Sequence, residues 1–525
     1  MRVTAIVWGS ELPMLTTAAE RTGISLTGWA TYRLKDPETL DRAIRSLSGA
    51  DVILLHPTPD AFWDSIIPHL EKVVPVISFG HDQVFWELST VPLQVTATVN
   101  AYFSYGGPAN MENLVAYLRG RILGENVTFE LPVAGRWEGI YHPDAPDFFS
   151  STEDYLRWRG PSHPDTVGIL FYRIYWANGD MDTIDALIRE FEQHANVIAV
   201  MTTGTGDEEA GALPAVEVMR KFFAGRIDAL VCLPSSALSP DPGAPEELFR
   251  ELNVPVFHPL VLYYRTMEEW WESSDGIGSA ELGWSVVLPE MYGMVGMIPV
   301  ASAMQEGPEG PDHAWHRPIA ERVTTLCRRV MAWVRLRKVP DHEKKVAFIL
   351  NSSPCASVEA NVGAAAHLDS LESVVRILRN FRDRGYQVEV PESGDALAQE
   401  ILGRRAINEF RWTTVEDIVR RGGALGFVDG PTYQRWFDEL DPGLQEKMVS
   451  SWGAPPGEEL DNVPPAMVHG ESIVVSGISL GNAVICTQPK RGCAGSRCDG
   501  QVCRILHDPF LPPPHHYLAA YRYLE

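Results

Sequence analysis

Short apolar runs that stop at turn residues recur along the first half of the chain, and a stretch with helical spacing follows each one. Val3–Trp8, Asp51–Leu55 (before HPTPD) and Val74–Phe79 (before GHD) are the first three. Runs without polar alternation predict strands buried on both faces, and strands alternating with helices predict a parallel sheet with helices on both sides. In such sheets ligands sit beyond the carboxyl ends of the strands. That places Gly9, Ser10, Glu11, His56, Pro57, Gly80, His81 and Asp82 on one rim, where ordinary loop polarity accounts for the same residues.

Pro146–Ser162, rich in aromatics and proline, reads as a linker or packing segment. Beyond it the alternation resumes, with strands at Val167–Tyr172, Asn196–Thr202, Ala229–Leu233 and Val254–His258 and helices at Thr183–Gln193 and Ala215–Ala224. Arg173, Tyr175, Trp176 and Asn178 follow the first of these strands. An arginine among flat aromatics suits a carboxylate on a planar ligand, or equally the closing of a domain interface.

Glu321–Lys338 predicts an amphipathic connecting helix. A strand to Leu350, the loop NSSPC and a long helix over Val362–Arg384, ended by Gly385, follow. A strand at Tyr386–Val390, a helix at Gly394–Leu402 and a hairpin between Ile473–Val475 and Ala483–Cys486 complete the pattern. It predicts an α/β fold of successive Rossmann-like parallel-sheet domains over residues 1–145, 163–319 and 341–525, with a connecting helix over 320–340. The last domain carries the added hairpin and a Cys-rich loop.

The net charge of −25 excludes a general nucleic-acid binder, which needs a basic face, and docking on anionic lipid. No charged, apolar leader follows Met1, and Leu282–Met304 is broken by Pro289, Gly293, Gly296 and Pro299, so no signal peptide and no membrane span are predicted. The expectation is a cytoplasmic protein, in which clustered cysteines bind metal or do redox work more often than they pair. Gly204-Thr205-Gly206 lacks the third glycine of a dinucleotide loop, and Asp207, Glu208 and Glu209 would repel a pyrophosphate. Gly477–Gly481 matches a nucleophile elbow in letters only, because extended sequence follows it. There is no P-loop.

Chemistry concentrates in the last fifty residues, Ser476–Glu525. Cys486, Cys493, Cys498 and Cys503 are separated by six, four and four residues, with Gly492, Gly495 and Gly500 between the thiols. Four cysteines at short, irregular spacings suit a 4Fe–4S cluster; zinc, or free or disulfide-bonded thiols, are the alternatives. Cys486, on a predicted strand, also fits a plain core position. Cys232, Cys327 and Cys355 read as small buried residues. Lys490, Arg491, Arg497 and Arg504 make the loop locally basic, and Pro512-Pro513-Pro514 presents His515 and His516.

Several of these segments resemble the large, tetrapyrrole-binding subunit of cobaltochelatase and its magnesium-chelatase relative. They are Val346–Asn351 followed by Glu359-Ala-Asn361-Val362-Gly363, then Trp452-Gly-Ala-Pro-Pro-Gly457-Glu458, then Gly481-Asn482 through Lys490-Arg491-Gly492, then His507-Asp508-Pro509 through the PPPHHYLAAYRYL tail, all in the family's order. Asp228-Ala229 and Leu288-Pro289-Glu290 also fit. The resemblance covers roughly Val167 to Glu525, and many cobaltochelatase subunits lack the cysteine insertion. It implies an ATP-dependent chelatase subunit that handles a corrinoid or porphyrin and divalent Co or Mg. A second chain would supply the carboxyl-terminal half, and an AAA+ ATPase pair the energy. His515 and His516 would act as base or transient ligand, since imidazole titrates near neutral pH. Glu359 and Glu458 would be the carboxylates, Lys490 and Arg491 would meet the macrocycle's acid groups, and Asn361, Asn482 and Arg173 would complete the pocket. A non-catalytic tetrapyrrole carrier, a redox sensor or a cluster-dependent tetrapyrrole-modifying enzyme are the alternatives.

Overall fold

The computed structural model describes Met1–Glu525 apart from residues 71–73, 81, 209, 236–237, 264, 305–315, 352–361, 366, 408–413, 459–465 and 491–509, and residue 280 in its backbone only. Arg2–Val7 (β1), Ser25–Ala30 (β2), Val52–Leu55 (β3) and Val76–Ser78 (β4) form a wholly parallel sheet in the order β2-β1-β3-β4. β1, β3 and β4 are buried almost end to end, as their apolar runs require. β2, Ser-Leu-Thr-Gly-Trp-Ala, lies at the edge with alternate residues exposed, and no hydrophobic run announces it.

Gly139–Tyr141 (β5), Thr166–Tyr172 (β6), Asn196–Thr202 (β7), Ala229–Cys232 (β8) and Val256–Phe257 (β9) build the second sheet in the order β5-β7-β6-β8-β9. It is parallel except for the edge strand β5. The Pro146–Ser162 segment packs instead of merely linking. Its helix Thr152–Arg159 buries Tyr155, whose hydroxyl donates to Val197 O at 2.8 Å. Leu260–Leu262 (β10), Pro299–Ala303 (β11) and His316–Pro318 (β12) make a small third sheet. The helix Ala320–Lys338 buries Val323, Leu326, Cys327, Val330 and Val334 against the core of the second sheet. The chain divides within this helix into two units, Met1–Arg335 and Leu336–Glu525. No helix among the described residues is long and apolar enough to cross a membrane.

The second unit departs from the parallel-sheet expectation. Among the described residues it holds two three-stranded sheets instead of one parallel sheet with a hairpin attached. Val346–Leu350 (β13) pairs in parallel with Ala483–Thr487 (β18), which pairs antiparallel with Ile478–Leu480 (β17). Ala424–Asp429 (β14), Val468–His469 (β15) and Ser472–Ser476 (β16) form the other sheet, all antiparallel. The hairpin therefore joins β17 to β18 through Gly481-Asn482, and Ile473–Val475 belongs to the other sheet. The chain changes sheets at Gly477, where a side chain would not fit: a Cβ there would lie 2.8 Å from Ile485 O and 2.9 Å from Cys486 Sγ. The helix expected from Val362 begins at Ser370, because Asp369 caps it by accepting the Glu372 N–H at 3.0 Å. The strand expected at Tyr386–Val390 reduces to a single bridge, Val388 to Gly481.

Candidate functional site

β13 and β18 run in parallel to a common end, with Leu350 opposite Thr487. Beyond that end Gln488 N donates to Leu350 O at 2.9 Å, and Asn351 O accepts the Gly363 N–H at 2.9 Å. Asn351 and Gln488 thus leave the sheet side by side, at the carboxyl ends of its two parallel strands. Ligands of open α/β sheets bind at that kind of edge.

The proline–histidine segment closes on the same edge. The Trp452 indole, at the end of the helix Pro442–Trp452, donates to Pro512 O at 3.0 Å. Helix His515–Leu524 then starts, burying Ala519 and Ala520 against Val474 and Val475 of β16. His515 Nε2–H donates to Gly453 O at 2.9 Å, which leaves Nδ1 as the acceptor for the Tyr433 hydroxyl at 2.8 Å. His516 Nε2–H donates to Lys490 O at 3.1 Å. Three hydrogen bonds therefore tie three sequence-distant segments, Trp452–Glu458, Gln488–Lys490 and Pro512–His516, into one cluster.

Burial keeps both imidazoles neutral. His516 is held down to about 4, by burial first, and His515 is lowered by the same cause. Burial also pushes the Cys486 thiol up to about 11. Cys486, Thr487, Pro489, Ser476, His516 and Tyr521 face a common recess. The Ser476 hydroxyl there is buried and without a hydrogen-bond partner among the described residues. Lys490 is buried at the rim of this cluster.

The remaining sequence candidates divide clearly. Glu458 is exposed and lies against Gly453, the residue that accepts from His515. Gly453 sits at φ +80°, and a Cβ on it would fall 2.7 Å from Glu458 Cβ. Asn482 forms the hairpin turn, its side-chain amide donating to His342 O at 2.9 Å. Arg173 belongs to the first unit, where it donates to Arg136 O and Tyr105 O and lies over the rings of Trp137 and Trp176. Those contacts are what closing an interface requires. On the first rim Glu11 and His56 pair at 2.8 Å, with Trp8 stacked on the imidazole. Glu359, Asn361, Arg491, Cys493, Cys498 and Cys503 lie outside the described residues, as do His81, Cys355, Arg497 and Arg504. Cys486 is free. Tyr433 and Ser476 had no assigned role in the sequence reading. A tyrosine in a capped helix and a serine at a strand end carry no motif, and only the fold brings them to this cluster.

The whole chain is similar to the catalytic subunit of cobaltochelatase from Mycobacterium tuberculosis, with a TM-score of 0.66 and 22% identity, covering 100% of this chain and 41% of that one. The CobN/Magnesium Chelatase family model matches residues 100–525, and the chain belongs to that family. An uncharacterized protein of Methanocaldococcus jannaschii is 35% identical over 100% of this chain and 42% of its own length. The chloroplastic magnesium-chelatase subunit ChlH of Oryza sativa is 27% identical over 80% of this chain and 29% of its own. The aerobic cobaltochelatase subunit CobN of Pseudomonas aeruginosa is 24% identical over 83% of this chain and 33% of its own. The chain spans less than half the length of these relatives.

Proposed function

We propose that the chain is the tetrapyrrole-binding part of an ATP-dependent, cobaltochelatase-like metal chelatase, acting in the cytoplasm on a corrinoid or porphyrin with Co²⁺ or Mg²⁺ as substrate ion. The observation that carries this reading is the convergence of the three family-like segments through His515, His516 and Trp452 at the ends of β13 and β18. Metal insertion replaces two pyrrole N–H protons with one divalent ion, so it needs bases at the ring's centre and cations at its periphery. Lys490 and Arg491 serve the peripheral carboxylates, while Glu458 and Glu359 take up the protons. His515, with both nitrogens engaged, is a positioning residue that holds the turn leading to Glu458. His516 fixes the backbone of Lys490. Asn361 shapes the loop around the pocket, whereas Asn482, in the turn before β18, lies at the other end of that strand and holds the start of β13.

The three-domain division at residues 1–145, 163–319 and 341–525 is part of this reading. The family's carboxyl-terminal half and AAA+ ATPase subunits are also needed in this reading, the latter supplying the energy. Insertion assays should therefore turn over only when this chain, that half, the ATPases and ATP are combined. A site lacking part of its ligand shell should be close to inert, since misplacement by about 1 Å costs roughly a hundredfold in rate. Turnover by these 525 residues with the ATPases alone would contradict that requirement. A carrier that binds without inserting is the second reading, favoured by the engagement of both His515 nitrogens. It predicts tight binding and no insertion in any combination.

The Cys-rich loop is proposed to hold a 4Fe–4S cluster through Cys486, Cys493, Cys498 and Cys503. Cys486 supports this by its place at the root of the loop, facing the recess beside His516. Such a cluster would supply electrons or rigidity to the loop. Protein purified without oxygen should be brown and carry about four iron and four sulfide per chain, lost in Cys498→Ala but not in Cys232→Ala. Colourless protein carrying neither iron nor sulfide would refute the cluster.

A further inference from the structure

Two helices of the first unit bring three metal-binding side chains together. Glu190 lies in the last turn of helix Asp182–Phe191, His194 follows just beyond that helix, and Cys327 sits within helix Ala320–Lys338. One ligand atom from each, a carboxylate oxygen, an imidazole nitrogen and Sγ, lie within 4.8 Å of one another. Ligands around a tetrahedral zinc are spaced about 3.5 Å apart, given bonds of about 2.0–2.3 Å. Small rotations of the Glu190 and His194 side chains, neither of them buried, would bring the three atoms that close.

A buried cysteine in a helix is ordinarily a small core residue, and three features set this one apart. Its thiol points to the end of the neighbouring helix, donating to the main-chain Glu190 O at 3.8 Å. The His194 ring has no hydrogen-bond partner among the described residues. The Glu190 carboxylate is already oriented by the Gln193 side-chain amide, which donates to it at 3.2 Å, the kind of outer support that metal ligands have. Burial, and then the charge of Glu190, push the Cys327 thiol up to about 12. A divalent cation would offset both influences by binding the thiolate.

We propose that Glu190, His194 and Cys327 form a binding site for a divalent ion of borderline softness, Zn²⁺ or Co²⁺, with a fourth position for water. Thiolate and imidazole donors select such ions over Mg²⁺, which prefers an all-oxygen shell. The ion pins the end of helix Asp182–Phe191 to the helix that leads into the second unit. The site stands independently of the function proposed above.

The test uses the full chain, dialysed against chelator and titrated with Zn²⁺ alone and with Co²⁺ alone. Thiols of the Cys-rich loop can also take up metal, so the difference between parent and variant is read. The parent should bind one zinc per chain more than His194→Ala or Cys327→Ser, or hold that zinc more than about tenfold tighter. The cobalt difference spectrum between parent and Cys327→Ser should show thiolate-to-metal charge transfer. His69→Ala, an exposed histidine elsewhere in the unit, should match the parent. Because Cys327 is buried, His194→Ala and Glu190→Gln decide the matter if Cys327→Ser folds poorly. Equal zinc uptake and affinity in parent, His194→Ala and Glu190→Gln would overturn the proposal.

Discussion

His516 shows how one residue links packing to pH response. Its ring is almost wholly buried and holds Lys490 O, and burial keeps it down to about 4 from an ordinary 6.5. Between those values the unfolded chain binds a proton that the folded chain refuses, so stability drops as the pH falls from about 6.5 toward 4. At roughly 1.4 kcal/mol per pKa unit, this residue accounts for on the order of 2–3 kcal/mol of that loss. His516→Asn removes this share, so denaturant midpoints of parent and variant should converge as the pH falls through that window. A constant gap from pH 7 to pH 4 would contradict the neutral, buried imidazole. The sequence placed His515 and His516 at the chemistry but left their individual tasks open. Those tasks depend on Tyr433, Gly453 and Lys490, whose separations along the chain (82, 62 and 26 residues) no local pattern encodes.

At the scale of elements, the hydrophobic pattern was readable wherever a strand is buried on both faces and flanked by helices. β1, β3, β6, β7 and β8 all lie within a residue or two of their apolar runs. It failed for the edge strand β2 and for the exchange of sheets at Gly477, because pairing partners are a long-range property. The late start of the helix at Ser370 had a local signal: Asp369 followed three residues later by Glu372 is an N-terminal cap pattern. Gly477 allows a close approach that no side chain would fit. Gly477→Ala places a Cβ within 3 Å of Ile485 O and Cys486 Sγ, an overpacking expected to cost on the order of 1–3 kcal/mol. Equilibrium unfolding of the variant measures it, and unchanged stability would mean that β16 and β17 are joined less tightly than described.

For the molecule as a whole, family membership was legible because the quoted motifs occur in combination and in order; of the four clustered cysteines only Cys486 lies within the described residues. The proposed tetrapyrrole site lies at the carboxyl ends of β13 and β18. Equilibrium titration of the protein with a metal-free corrinoid and with a metal-free porphyrin, followed by tryptophan fluorescence, tests it directly. Trp452 anchors the cluster through Pro512 and supplies a nearby reporter. The account predicts saturable, one-to-one quenching by at least one of the two macrocycles. Arg491→Glu should weaken it about tenfold, the equivalent of roughly 1.4 kcal/mol. Absence of binding by either macrocycle at concentrations of about 50 μM, equivalent to an affinity weaker than roughly −6 kcal/mol, would contradict it.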